Sequence, residues 1–241
     1  MKTNKWPKIV EPLSPELQDK YLNWEAYWLA HYDDKYHFVE EFNKTFLIKF
    51  AKHFKKRARL LEVGPGLSTQ VRSIFPDTDY YCFERRQDFC QKLRSQISPP
   101  ANVFEGDIQE VTGMPGRFFD IIVALHILEH LPNLPAALRE IRRILVPQGT
   151  LLVVIPCVGS PLYDLGGRFS SGRAFRRMFG EGYELLKRHE HLNSAQEIVQ
   201  EIRREFFFAQ VAFYPFRTRI LGVQLNFLAG FCCLPKKPIS D

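Results

Sequence analysis

Leu60–Thr69 reads LLEVGPGLST: an apolar run, an acid, then Gly-Pro-Gly ahead of a helical pattern that continues to Phe75. The pattern predicts a buried strand, a turn with two glycines and a helix start. Gly64 and Gly66 lack a Cβ, so backbone can approach a ligand closely there. The first helical turn offers N–H groups with no partner of their own. Glu62 sits at the strand end, where a phosphate would meet a like charge. The loop therefore suits a nucleotide-like ligand carrying a cationic amine better than a pyrophosphate. Two other readings stay open. One is a dinucleotide site, G-x-G-x-x-G, although Thr69 stands where the third glycine belongs. The other is a tight strand-to-helix turn that binds nothing.

An acid, any residue, then Gly-x-Gly at the end of a first strand resembles the first motif of the class I S-adenosylmethionine-dependent methyltransferases. The next segments follow in that family's order. Asp79–Glu84 (DYYCFE) is an aromatic-rich strand ending in an acid twenty positions after Gly64. An acid there can accept the ribose hydroxyl protons in either nucleotide family. Asn102–Ile108 (NVFEGDI) is a short strand ending in Gly-Asp. The resemblance implies that Asp107 binds the adenine amine, that Ile108 packs on the ring, and that Leu125 is a further cofactor contact. Phe118–Ala124 (FFDIIVA) is apolar nearly throughout, as a parallel strand covered on both faces should be. Leu125–Pro132 (LHILEHLP), a helix over Leu134–Leu145, a Pro-Gln-Gly turn and a strand over Thr150–Pro156 extend the likeness, which spans about Arg59–Cys157. It implies S-adenosylmethionine as cofactor. It also implies an α/β, Rossmann-like three-layer sandwich whose seven-stranded sheet is mostly parallel with an antiparallel last strand, preceded by N-terminal helices. A nicotinamide-dependent oxidoreductase, or a binding protein that kept the fold without catalysis, are the alternatives.

The chain has 241 residues, 45% of them hydrophobic, enough for one α/β domain with a full core. No run of 18 apolar residues occurs, and MKTNKWPKIVEP lacks the apolar segment of a signal peptide. The five cysteines are odd in number and show no C-x-x-C spacing, which suits reduced thiols in the cytoplasm. The net charge of +6 is concentrated in two runs. Lys52–Arg59 (KHFKKRAR) reads as a solvated helix end. Arg168–Arg177 (RFSSGRAFRR) follows the fifth strand. No nucleic-acid-binding module is appended.

Four regions are expected. Residues 1–57 form a helical pocket cover, with Ser14-Pro15 starting the first of two helices, at 15–32 and 35–56. Trp24, Trp28, Tyr32 and Tyr36 make an aromatic stripe that reads as a packing face. Residues 58–157 form the nucleotide-binding core. Residues 158–193 read as an irregular, mobile insertion over the open end of the site, its Arg168, Arg173, Arg176 and Arg177 placed to attract an anionic part of the acceptor. Residues 194–241 complete the sheet. Ser194–Glu197 is a capping box, Phe206–Phe216 a strand, and 218–231 the antiparallel last strand. An amphipathic membrane-contacting element over Ile220–Leu234 is the alternative to that strand.

Methyl transfer from a sulfonium needs alignment and, for a hydroxyl acceptor, a base. His126 directly follows the fourth strand and is the first candidate. His191, at the end of the insertion, is the second. His126-x-x-Glu129-His130 has a metal-ligand spacing, but an imidazole in first place ill suits a hard ion, and no metal is expected. His189 and His191 lack an evident third ligand for zinc. Ala124-Leu125-His126 is unlike the Asn/Asp-Pro-Pro-Tyr of exocyclic base-amine methylation. Cys157 lacks the second cysteine of RNA cytosine-5 methylation. The acceptor expected is a small organic or lipid-linked molecule, methylated on oxygen.

Overall fold

Along β1 (Arg59–Val63), Leu61 and Val63 enter one apolar cluster and Leu60 enters another on the opposite face. β4 (Phe119–Leu125) repeats the split, Ile122 and Ala124 against Ile121 and Val123. Side chains alternate along a strand, so two apolar sets mean a sheet covered on both sides. A computed structural model describes residues 6–67, 70–99, 102–217 and 222–236, with the backbone alone over 28–36.

One cover consists of α1 (Pro15–Ala51), α2 (Gln70–Ile74) and α3 (Gln87–Gln96), which contribute Phe46, Leu47, Val71 and Leu93. The other consists of α4 (Leu134–Ile144) and α8 (Ala195–Glu205), which contribute Leu138, Ile141, Ile198 and Ile202. The remaining strands are β2 (Asp79–Glu84), β3 (Val103–Glu105), β5 (Leu145–Pro156), β6 (Phe206–Tyr214) and β7 (Leu228–Pro235). Their order in the sheet is β3-β2-β1-β4-β5-β7-β6. β7 runs antiparallel to both β5 and β6, while the pairs from β3 to β5 are parallel. The three-layer, mostly parallel sandwich is the one expected. Strand order reverses between β1 and β4, and the crevice beyond their carboxyl ends is where open α/β sheets bind ligands.

Four local expectations are corrected. The N-terminal region is one helix rather than two. Ser14 accepts the Leu17 N–H at 3.3 Å and Pro15 occupies the first turn as read, but residues 16–51 contain no glycine or proline to interrupt the hydrogen-bond ladder. Residues 158–193 are not irregular. They form α5 (Pro161–Phe169), α6 (Ser171–Phe179) and α7 (Tyr183–Glu190). Ser160 accepts the Tyr163 N–H at 3.2 Å ahead of Pro161, the same start signal as Ser14-Pro15. Trp24 of α1 packs with Phe175 and Leu186 in a third apolar cluster. Trp28, Tyr32 and Tyr36 lie outside the described side chains.

β5 begins at Leu145, so Pro147-Gln148-Gly149 passes through in extended form, with a register shift opposite Phe119 and Ile121. The last strand lies later than expected, and residues 218–221 are outside the described ones. Leu228–Cys233 are buried, hydrogen-bonded on both sides to β5 and β6, so this stretch cannot also lie on a membrane. Among the described residues no helix is long and apolar enough to cross one. The capping box at Ser194 is present, with Glu197 closing it.

Candidate functional site

The glycine loop begins where β1 ends. Gly64 (φ 65°) and Gly66 (φ 59°) are both left-handed, a conformation that disfavours any Cβ. A Cβ on Gly64 would meet Ile127 Cδ1 at 2.8 Å, so the loop is packed against the turn after β4. Among the described residues a Cβ on Gly66 would meet only Phe89 Cε2 at 3.9 Å.

Glu84 closes β2 and is 7% exposed. Its Oε2 accepts the Gly66 N–H at 3.1 Å and its Oε1 accepts the Arg86 N–H at 2.9 Å. The carboxylate is thus fixed across the loop. Asp107 follows β3 and accepts from the Gln109 N–H at 2.9 Å and from Gln109 Nε2 at 3.0 Å. Gln109 Oε1 in turn accepts the Asn133 N–H at 2.5 Å, tying this loop to the start of α4. Ile108 belongs to the core and is 4% exposed, which leaves little of it to meet a ligand. Glu62 lies inside the sheet layer, where the Tyr80 hydroxyl donates to its Oε2 at 2.5 Å. Burial pushes the Glu62 carboxyl up to about 8, against the lowering effect of that bond.

His126 follows β4 at φ 51°. Its N–H donates to the Val154 carbonyl at 2.9 Å, which holds the residue at the end of the β4–β5 pair. Nε2 lies 3.1 Å from Asn43 Oδ1 on α1. An amide oxygen only accepts, so Nε2 carries the proton and Nδ1 keeps its lone pair. Burial pulls the imidazole down to about 4, so it is neutral near pH 7. Leu125, beside it, is half-buried.

A 3-10 turn, Leu128–His130, carries Glu129 and His130. Glu129 is 1% exposed, and burial pushes its carboxyl up to about 8. His130 Nδ1 donates to the Glu190 carbonyl at 2.8 Å, and its ring centroid lies 5.2 Å from that of His191. Burial pulls His191 down to about 3. Three buried atoms here have no hydrogen-bond partner among the described residues: Glu129 Oε2, His191 Nδ1 and Asn193 Oδ1. Asn193 Nδ2 donates to the Leu128 and Leu131 carbonyls, both at 2.8 Å, and stitches the insertion's end to this turn. Among the described residues no three His, Cys, Asp or Glu side chains converge with metal-ligand geometry.

The structure gathers the strand-end acids, the glycine loop and His126 at one end of the sheet, with His191 near His130. Arg168, Arg173, Arg176 and Arg177 are exposed on α5 and α6. Cys157 is buried, and burial pushes its thiol up to about 12, which makes it a poor nucleophile. An open depression of about 960 Å³, lined by Arg57, Arg72, Thr78 and Asn102, lies toward the amino ends of β1 and β2, away from Glu84 and His126.

Asn43 and Asn193 were missed from sequence. Asn43 had a signal: it is a lone amide on the apolar stripe of Val39, Phe46, Leu47 and Phe50.

A model of the methyltransferase domain family matches residues 36–204. The chain belongs to the class I S-adenosylmethionine-dependent methyltransferases. Solved structures agree at the level of fold. An S-adenosylmethionine-dependent methyltransferase from Thermotoga maritima superposes with a TM-score of 0.59 at 16% identity, covering 89% of this chain and 99% of that one. A protein from Pyrococcus horikoshii gives 0.57 at 15%, covering 78% and 86%. The cyclase SpnF gives 0.54 at 14%, covering 79% and 80%. A cyclase on this scaffold shows that a methyltransferase fold does not by itself fix the reaction. Among curated proteins, a highly reducing polyketide synthase from Aspergillus nomiae is 25% identical over 124 residues, 45% of this methyltransferase chain. The chain spans about 5% of that protein's length.

Proposed function

We propose that this methyltransferase acts on a hydroxyl of a small organic acceptor, with His126 receiving the proton. S-adenosylmethionine, the donor the family implies, supplies a methyl group already activated on a positive sulfur. The residues present fit it. Gly64 and Gly66, lacking a Cβ, would admit it against the backbone. Glu84, already fixed by two N–H groups, has lone pairs left for the ribose hydroxyls. Asp107 would accept from the adenine amine. Leu125 would give apolar contact, and Ile108 only the edge its burial leaves. Glu62 would support the loop from beneath.

The observation that carries the reading is the fixed tautomer of His126. With the Nε2 proton donated to Asn43, the Nδ1 lone pair would be the one left to receive the acceptor's proton, near the switch point between β1 and β4. An imidazole held near 4 is a weak base. It matches an acidic hydroxyl, phenolic or enolic, better than an aliphatic alcohol. His191, with an unpartnered Nδ1, is the second candidate for the proton. Five free, buried thiols suit a cytoplasmic setting.

The test has two arms. Calorimetric titration should show binding of S-adenosylmethionine and S-adenosylhomocysteine and none of NADH. Methyl transfer to a set of phenols and enols should then fall about 100-fold in kcat in His126→Gln, with donor affinity unchanged. Absent donor binding would refute the cofactor residues. An unchanged kcat would refute His126 as the base.

A further inference from the structure

Arg168, Arg173, Arg176 and Arg177 share the α5–α6 surface with exposed apolar side chains. Leu165 (53% exposed) and Phe169 (74% exposed) lie one turn apart on α5, on one face. Arg168 adjoins Phe169, and Arg176 of α6 reaches back so that its Nη2 donates to the Arg168 carbonyl at 3.1 Å. On α6, Gly172 and Phe175 are buried. Arg173, Arg176, Arg177 and Met178 (46% exposed) point outward. Residues 161–179 contain four arginines and one aspartate, a net charge of +3 (4 − 1). That aspartate, Asp164, accepts from Lys187 Nζ at 2.7 Å. Arg168 has a loose ion pair with Glu184 at 3.9 Å, and among the described residues Arg173, Arg176 and Arg177 have none.

Aromatic and aliphatic side chains that protrude at a helix corner, rimmed by arginines, have the composition of an interfacial helix. The protruding shape favours a fluid surface that they can enter over a rigid partner that would need a matching pocket. Arginine side chains can bury their stems while the guanidinium groups stay at headgroup level. We infer that the α5–α6 corner docks on an anionic lipid surface, with Leu165 and Phe169 inserted and Arg168, Arg173, Arg176 and Arg177 against lipid phosphates. The insertion leaves from the carboxyl end of β5, beside the Val154 carbonyl that holds His126. The inference does not rest on the methyl-transfer reading.

The test is co-sedimentation of the whole chain with vesicles of phosphatidylcholine alone and with added phosphatidylglycerol. Binding should be at least about tenfold stronger with the anionic lipid. Arg173→Gln combined with Arg177→Gln should weaken it about 30-fold, roughly fivefold per arginine. Phe169→Ser should weaken it about tenfold. In Phe169→Trp, bromine-labelled lipid should quench the added indole and spare the native tryptophans. S-adenosylhomocysteine binding should be unchanged in every variant, which separates lost docking from lost fold. No binding to either vesicle, equal binding to both, or full binding by both weakened variants would overturn the inference. Retention on heparin without vesicle binding would assign the arginines to another polyanion and overturn it as well.

Discussion

Asn43 reaches His126 across 83 positions of sequence, and that one contact decides which ring nitrogen is free. Asn43→Leu should leave the fold intact but release the tautomer. The expected result is a fall in kcat with little change in KM, read from steady-state kinetics. The acidic limb of the rate profile should lie near pH 4 in the parent, because burial holds His126 there. A limb near 6.5 would point to a solvated base instead. Asp107→Ala should weaken S-adenosylhomocysteine binding by about 1.5–3 kcal/mol, the range for a hydrogen bond to a charged group, measured by calorimetry. Gly64→Ala forces a Cβ to 2.8 Å from Ile127 in a left-handed backbone. It should destabilise the fold by about 1–3 kcal/mol in denaturant titration. At this scale the sequence marked what stands at strand ends, since Glu84 closes the aromatic run of β2 and Asp107 follows β3 directly after Gly106. It did not mark residues whose meaning comes from distant partners. Asn193 is such a case, holding two carbonyls more than 60 positions away.

Among the parallel strands, β2 and β4 were legible because both of their faces are apolar, whereas β7, equally buried, was placed too early. β2 falls on the expected Asp79–Glu84, and β4 is displaced by a single residue. The insertion was harder to read, because its three helices are short and the buried apolar residues of α6 and α7 face α1 rather than the sheet. Phe175 makes edge contacts with Trp24 at 5.4 Å between ring centroids and is fully buried. Phe175→Ala removes most of a small cluster and should cost about 3–5 kcal/mol locally. Limited trypsin digestion should then cut at Arg173, Arg176 and Arg177 well before the core, with the β-sheet signal retained. Equal protection of parent and variant would mean that α6 is held by something other than this cluster.

For the molecule as a whole, buried acids and imidazoles pull stability in opposite directions with pH. Burial pushes Glu62 and Glu129 up to about 8 and Glu190 up to about 7, from an ordinary value of 4.5. The folded state therefore binds more protons than the unfolded chain from about pH 4.5 to 8. The stability these acids contribute is complete below 4.5 and is lost as pH rises through that window. His126 and His191 are held down to about 4 and 3, from 6.5. Their contribution is complete above 6.5 and is lost as pH falls toward 4 and 3. Below 6.5 the two sets oppose each other; from 6.5 to 8 the carboxyls act alone. Tm without ligand should accordingly be lower at pH 8 than at 6.5 in calorimetric scans. A higher Tm at pH 8 would mean that these acids are ionised and paired. The position of β7 has a further consequence, for synthesis. β6 leaves the ribosome first, yet among the described strands it pairs only with β7, and β7 is also what covers the outer edge of β5. While the nascent chain lacks residues 228–235, β5 presents a bare, apolar edge of the kind that recruits other chains. Translation pausing before that stretch would prolong the exposure, and a chaperone would have its most useful moment there.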